Sequence, residues 1–290
     1  MKRTCAALLT VGVFLAAAPA TAEPPCDIRT VTGTYAFMSY GDVWMGNPAF
    51  QGTLAPVGLF GLLTITPDSR AVGPMWGAIG ATGYGLDPVP FEAEVTVAED
   101  CTAELIFRYY PGQEPPSIEK MVVFANGKRM RGISKQTPPV PPIAWVSEYY
   151  RLGGIGEPSA VCGRAMGRGS WVMTCNGYSV GTAGNPPQAM SVSSALMVQF
   201  DVDGAGVATG TAMHKIGPTW LESPMTGGLV VHRDCTADMY MDPSAPLFMR
   251  VRAKGVVFDS GKQGFGMPLV KETSEGTGLM PPMVCRLVRQ

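Results

Sequence analysis

The sequence predicts an all-β protein built from two tandem antiparallel β-barrel units. Three observations predict it: a composition rich in turn formers, a scarcity of helical periodicity, and an internal repeat. Glycine (36) and proline (26) together make about a fifth of the 290 residues, as expected for short strands joined by turns. Beyond residue 22 no twelve-residue stretch carries apolar residues at i, i+3, i+4 and i+7.

The repeat is the strongest of the three. "EDCTAEL" (99–105) returns as "RDCTADM" (233–239), and "VVFANGK" (122–128) as "VVFDSGK" (256–262). Upstream, "CDIRTVTGTYAF" from Cys26 aligns with "CGRAMGRGSWVM" from Cys162, and "LLTITPDSRAV" with "VQFDVDGAGV". The four blocks keep their order, which marks a tandem duplication. The units run over 23–135 and 162–290, with a Pro-rich linker and its apolar segment at 136–161.

Each unit reads as a meander. In "GTYAFMSY" Tyr35 and Phe37 alternate with Ala36 and Met38. "LLTITPDSRAVG" is strand, turn, strand, and Asp203-Gly204 gives its counterpart a strong hairpin signal. Phe91, Ala93, Val95 and Val97 alternate with Glu92, Glu94 and Thr96, and the Asp-Cys-Thr corner leads into the next strand. A hairpin over Asn126-Gly127 closes the unit. So many short strands cannot hide their edges in an open sheet, so a closed barrel or a tight sandwich is expected. "PPVPP" reads as a stiff spacer, whereas "IAWVSEYY" is apolar enough to pack on a unit as a helix or a strand.

The first 22 residues read as a secretory signal peptide. Lys2 and Arg3 precede an apolar run, and Ala20-Thr21-Ala22 offers small residues for cleavage before Glu23. A periplasmic or secreted location follows, with no membrane span after cleavage. The 22 basic and 23 acidic residues balance, which argues against nucleic acid as a partner. Six cysteines remain after cleavage, an even number that fits an oxidising compartment. Cys26 and Cys101 hold the repeat positions of Cys162 and Cys235, so the economical scheme pairs each couple within its unit and leaves Cys175 for Cys285.

A cysteine before "GTYAF" (33–37), "DCT" (100–102) and "SKQ" (134–136), echoed by "GSW" (169–171), "DVDGAG" (201–206), "DCT" (234–236) and "RQ" (289–290), resembles a widespread group of exported bacterial β proteins. That resemblance implies calycin-like barrels, of the lipocalin or allene-oxide-cyclase kind, with motifs that are structural and not catalytic.

Chemistry-bearing residues are few. His214 and His232 flank one loop of the second unit and could face each other. Glu104 and Asp238 share one repeat position, where an acid turned into a barrel could move a proton and one turned outward is a solvated strand residue. Tyr35 is the matching hydroxyl candidate. Metal binding and cofactors are not expected, since "DVDGAG" lacks the later acid of a calcium loop and no Cys-x-x-Cys occurs. The 18 methionines read as soft core filler suited to a greasy cavity. The expected partner is a small hydrophobic molecule, and three roles stand open: non-catalytic binder, cyclase or isomerase, and structural or adhesive module.

Overall fold

The computed structural model describes residues 25–44, 54–79, 82–83, 86–107, 117–124, 126–135, 143–153, 162–183, 188–216, 218–245, 250–273, 276–279 and 283–290. The expected signal peptide (1–22) and the "PPVPP" spacer lie outside the described residues. In the first unit a four-residue helix, α1 (Ile28–Val31), precedes β1 (Gly33–Trp44), β2 (Leu54–Ile65), β3 (Arg70–Ile79), β4 (Thr82–Gly83), β5 (Val89–Val97), β6 (Thr102–Phe107), β7 (Ser117–Phe124), β8 (Arg129–Lys135) and β9 (Ile143–Gly153). The second unit has α2 (Arg164–Gly167), β10 (Gly169–Ala183), β11 (Gln188–Val202), β12 (Val207–Ile216), β13 (Thr219–Val231), β14 (Thr236–Pro243), β15 (Arg250–Phe258), β16 (Gln263–Thr273), β17 (Gly276–Leu279) and β18 (Met283–Arg289).

Each unit is a closed, wholly antiparallel barrel of eight strands. In the first, every strand pairs with its chain neighbour, short β4 hangs on β3, and β9 pairs with β1 to close the ring. In the second, β17 hangs on β16, and β18 closes on β10. The apolar "IAWVSEYY" segment is thus a wall of the first barrel. Closure pairs the edges of each barrel wall with one another.

Alternation decides what the walls enclose. Tyr35, Phe37, Leu63, Ile65, Val95, Leu105, Met121 and Met130 are buried together inside the first barrel. Their neighbours Ala36, Met38, Phe60, Leu62, Trp76 and Ala78 point outward, yet they are buried too, against the second barrel. That is why β1 and β2 are apolar on both faces. Tyr150 stacks on Phe258 at 4.7 Å and meets Phe265 edge-on at 5.4 Å. Glu148, buried in the seam, accepts hydrogen bonds from Arg131 of its own barrel (3.2 Å) and from Arg286 of the other.

One end of each barrel is sealed by the repeated phrases. Asp100 Oδ1 accepts from Thr102 N (3.0 Å) and Oγ1 (2.7 Å), and Asp234 repeats both bonds with Thr236. The Thr102 bonds hold the Asp100 carboxyl below its ordinary range. This Asx turn sets Cys101 and Cys235 at φ 62° and 70°, and each cysteine carbonyl accepts from the strand two further on, at Val123 N and Val257 N. The disulfides Cys26–Cys101 and Cys162–Cys235 tie these corners to the chain just before the first strand, and Cys175–Cys285 links β10 to β18. In the first barrel α1 closes the same end. Its N-cap Asp27 accepts from Arg29 N and Thr30 N, and Arg151 donates to the carbonyls of Thr30 and Thr32. Gly127, at φ 77°, lies so close to Thr30 O that a side chain would collide.

Removing the first staple with Cys26→Ala and Cys101→Ala together frees a loop of 75 residues, and the chain-entropy account gives a loss of about 4 kcal/mol. Guanidinium unfolding followed by circular dichroism should show the midpoint falling accordingly, and an unchanged midpoint would contradict the staple's role.

Candidate functional site

Register fixes an equivalence between the barrels, strand by strand, and it isolates one place where they differ in kind. In the first barrel five aromatic side chains form a belt inside the wall. Tyr149 of β9 stacks on Phe37 of β1 (5.8 Å between ring centroids), Phe37 meets Phe91 of β5 (6.3 Å), Phe91 meets Phe107 of β6 (5.5 Å), and Phe107 stacks on Trp145 of β9 (5.9 Å). Between Trp145 and Tyr149 the circle is completed by Glu119 of β7. The Tyr149 hydroxyl donates to Glu119 Oε1 at 3.0 Å and the Trp145 indole donates to Oε2 at 3.3 Å.

Glu119 is 2% exposed, and alternation put it there: Ser117, Glu119, Met121 and Val123 face inward along β7 while Ile118, Lys120, Val122 and Phe124 do not. Gly132 of β8 makes the room, for any side chain there would strike the carboxylate. Burial pushes the Glu119 carboxyl up from 4.5 to about 7, against hydrogen bonds from Ser147, Trp145 and Tyr149 that favour the charged form. Among the described residues no cation pairs with it. Nearby, Ser39 of β1 and Ser147 of β9 sit directly opposite one another and share a hydrogen bond of 2.7 Å.

The second barrel keeps every one of these positions and changes the chemistry. By register, Phe37 corresponds to Met173, Phe91 to Met225, Phe107 to Met241, Trp145 to Met283 and Tyr149 to Leu287. Glu119 corresponds to Ala253, opposite Met239 as Glu119 is opposite Leu105. Ser39 and Ser147 correspond to Cys175 and Cys285, the paired residues of the third disulfide. An aromatic belt with a buried acid in one barrel is a methionine belt with a covalent cross-link in the other.

The sequence candidates fall elsewhere. Glu104 points outward to Lys120 (2.7 Å), and Asp238 likewise to Lys254 (2.5 Å) and His232 (2.9 Å). Against partial burial, those two partners hold Asp238 below its ordinary range. His214 and His232 do not meet: His214 is buried near one end of the second barrel, 2.8 Å from Ser194 Oγ, while exposed His232 begins the turn at the other. Burial lowers the His214 pKa. Tyr35 donates to Gly127 O at 2.7 Å, and burial, eased by Arg151, pushes its phenol up to about 12. It latches the sealed end. The inward acid is Glu119, which sequence reasoning missed; the "SIEKMVVF" alternation was its one available signal.

A concavity of about 530 Å³ lies between Leu86 and the outer face of β13–β15, where the Tyr240 ring rests on Gly228. Its cations are already held: Arg250 by Asp242 (2.7 Å), Arg252 by Glu272 (2.7 Å) and Lys254 by Asp238. No group of three or more metal-binding side chains occurs among the described residues, and no helix among them is long and apolar enough to cross a membrane.

No family model and no curated protein matches the sequence. Solved structures similar to the chain include a protein of unknown function of the DUF3598 family from Nostoc punctiforme PCC 73102, at 11% identity over 91% of this chain and 99% of that one, with a TM-score of 0.27. Another is a double mutant of the vaccine antigen Transferrin Binding Protein B from Haemophilus parasuis Hp5, at 10% identity over 83% of this chain and 55% of that one, with a TM-score of 0.32.

The raised Glu119 pKa has a sign that can be measured. Between about 4.5 and 7 the folded chain holds a proton that the unfolded chain has released, so stability falls as pH rises through that window. Glu119→Gln should remove this slope, worth about 3 kcal/mol between its ends. Urea unfolding at a series of pH values checks it, and an unchanged slope in the variant would assign the dependence to another group.

Proposed function

We propose that this is an exported, non-catalytic binding protein whose first barrel takes up a small, largely apolar molecule, the second barrel being a filled scaffold. The observation that carries the reading is the divergence of the two interiors at matched positions. A duplicated barrel needs only a packed core to fold, and the methionine belt and cross-link of the second supply one. The first keeps rigid aromatic faces and a polar group set among them, the composition of a small-molecule site: apolar walls with a few placed polar atoms. Its inward serines on β1, β7 and β9 keep the layer beside Glu119 small. Three disulfides fit the periplasm or the exterior.

A second reading, a cyclase or isomerase, has Glu119 in its favour, since a carboxyl titrating near neutrality is suited to moving protons. The two readings part on turnover: a binder returns its ligand unchanged.

The test is a titration of the mature chain with the fluorescent apolar probe N-phenyl-1-naphthylamine. Phe107→Ala should weaken binding by about tenfold or more, a loss of about 1.4 kcal/mol, whereas its counterpart Met241→Ala should leave the affinity unchanged. Equal effects of the two substitutions, or no binding at all, would contradict a chamber in the first barrel.

A further inference from the structure

The belt has a feature that an apolar ligand alone does not use. Glu119 is a carboxylate enclosed by donors and ring faces, and among the described residues no cation stands beside it. Its surroundings are uncharged on every wall among the described residues: β6 presents Leu105, β8 presents Gly132 and Ser134, β9 presents Trp145, Ser147 and the phenol of Tyr149, and β1 presents Ser39. A buried ionised carboxylate is costly unless paired. The faces of Phe, Tyr and Trp carry negative quadrupole density that attracts cations within about 6 Å of a ring centre. Both kinds of group ask for the same missing partner, a positive charge small enough to enter and apolar enough to leave water.

Resting on the proposal that the first barrel is the binding chamber, we infer that its ligand is a small organic amine bound as the ammonium ion, with the charged head against Glu119 and the aromatic belt. The proton balance is defined. The empty site holds a largely neutral carboxyl below neutrality, the arriving ammonium pairs with the carboxylate, and the carboxyl proton leaves to solvent. The ammonium keeps its own protons, and no bond is made or broken beyond that O–H. The second barrel, with Ala253, methionines and Leu287 at the matched positions, has neither the anion nor the ring faces there. It should not bind amines.

Isothermal titration of the mature chain with a matched pair of probes tests this: 2-phenylethylamine and 2-phenylethanol share a body and differ in the head. The amine should bind at least about tenfold more tightly at pH 8. Its affinity should fall by up to about tenfold per pH unit below about 7, as the site's proton must be expelled, while the alcohol's stays flat. Glu119→Gln should abolish the preference and the pH dependence yet keep the alcohol, which also reports that the variant is folded. Equal affinity for both probes in the native chain would overturn the amine assignment and leave the chamber standing. Binding of neither probe would overturn the chamber itself.

Discussion

Ring closure is the constraint on which everything else depends. An open antiparallel meander of this length would expose two edges per unit and leave half of its alternating apolar residues without a partner. Pairing β9 with β1, and β18 with β10, removes the edges and defines an inside. Once the ring is closed, the period of two assigns each side chain to the lumen or to the outside, and a shift of one residue would invert the assignment. The repeated corners hold this register in place. An Asx turn puts a cysteine in a left-handed conformation, its carbonyl reaches the next hairpin, and its sulfur is bonded to the segment before the first strand.

Duplication then released one copy from the demands on the other. The outer faces of β1, β2 and β3 became the seam with the second barrel, with Glu148 clamped by an arginine from each unit. Arg286 holds in β18 the place that Glu148 holds in β9, so one repeat position supplies both sides of the ion pair. Inside, the second copy settled on flexible thioethers and a cross-strand disulfide, which fill space without fixing polar geometry. The first copy bears the cost of a buried carboxyl that a well-packed apolar core would avoid. In a protein with a sister barrel that does without it, that cost points to use.

Much of the fold was legible in the sequence, and the reasons are local. The Asp-Cys-Thr phrases, the Asn-Gly turn and the alternating "FEAEVTV" report backbone geometry that few residues can satisfy. The closing strand was harder to read. "SEYYR" and "CRLVR" share only their arginine, so by sequence β9 reads as part of the linker, although Arg151 and Arg289 hold equivalent places beside Gly33 and Gly169. The site was less legible still. Its five rings come from four strands, and no spacing in the chain announces their meeting. Glu119 resembled any surface glutamate in a charged stretch until the register turned Glu104 and Lys120 outward and Glu119 in.

The most direct measurement follows the indole N–H of Trp145, one of five tryptophans, in ¹H–¹⁵N spectra of the chain from Glu23 onward. That proton is bonded to Glu119 and stands beside the proposed ligand position. The account predicts that its resonance moves as pH passes through about 7 and moves again when 2-phenylethylamine is added. The indole of Trp171, bonded to Gly167 O in the second barrel, should stay still in both titrations. A Trp145 resonance unmoved by pH and by amine, or a Trp171 resonance that moves in its place, would contradict it.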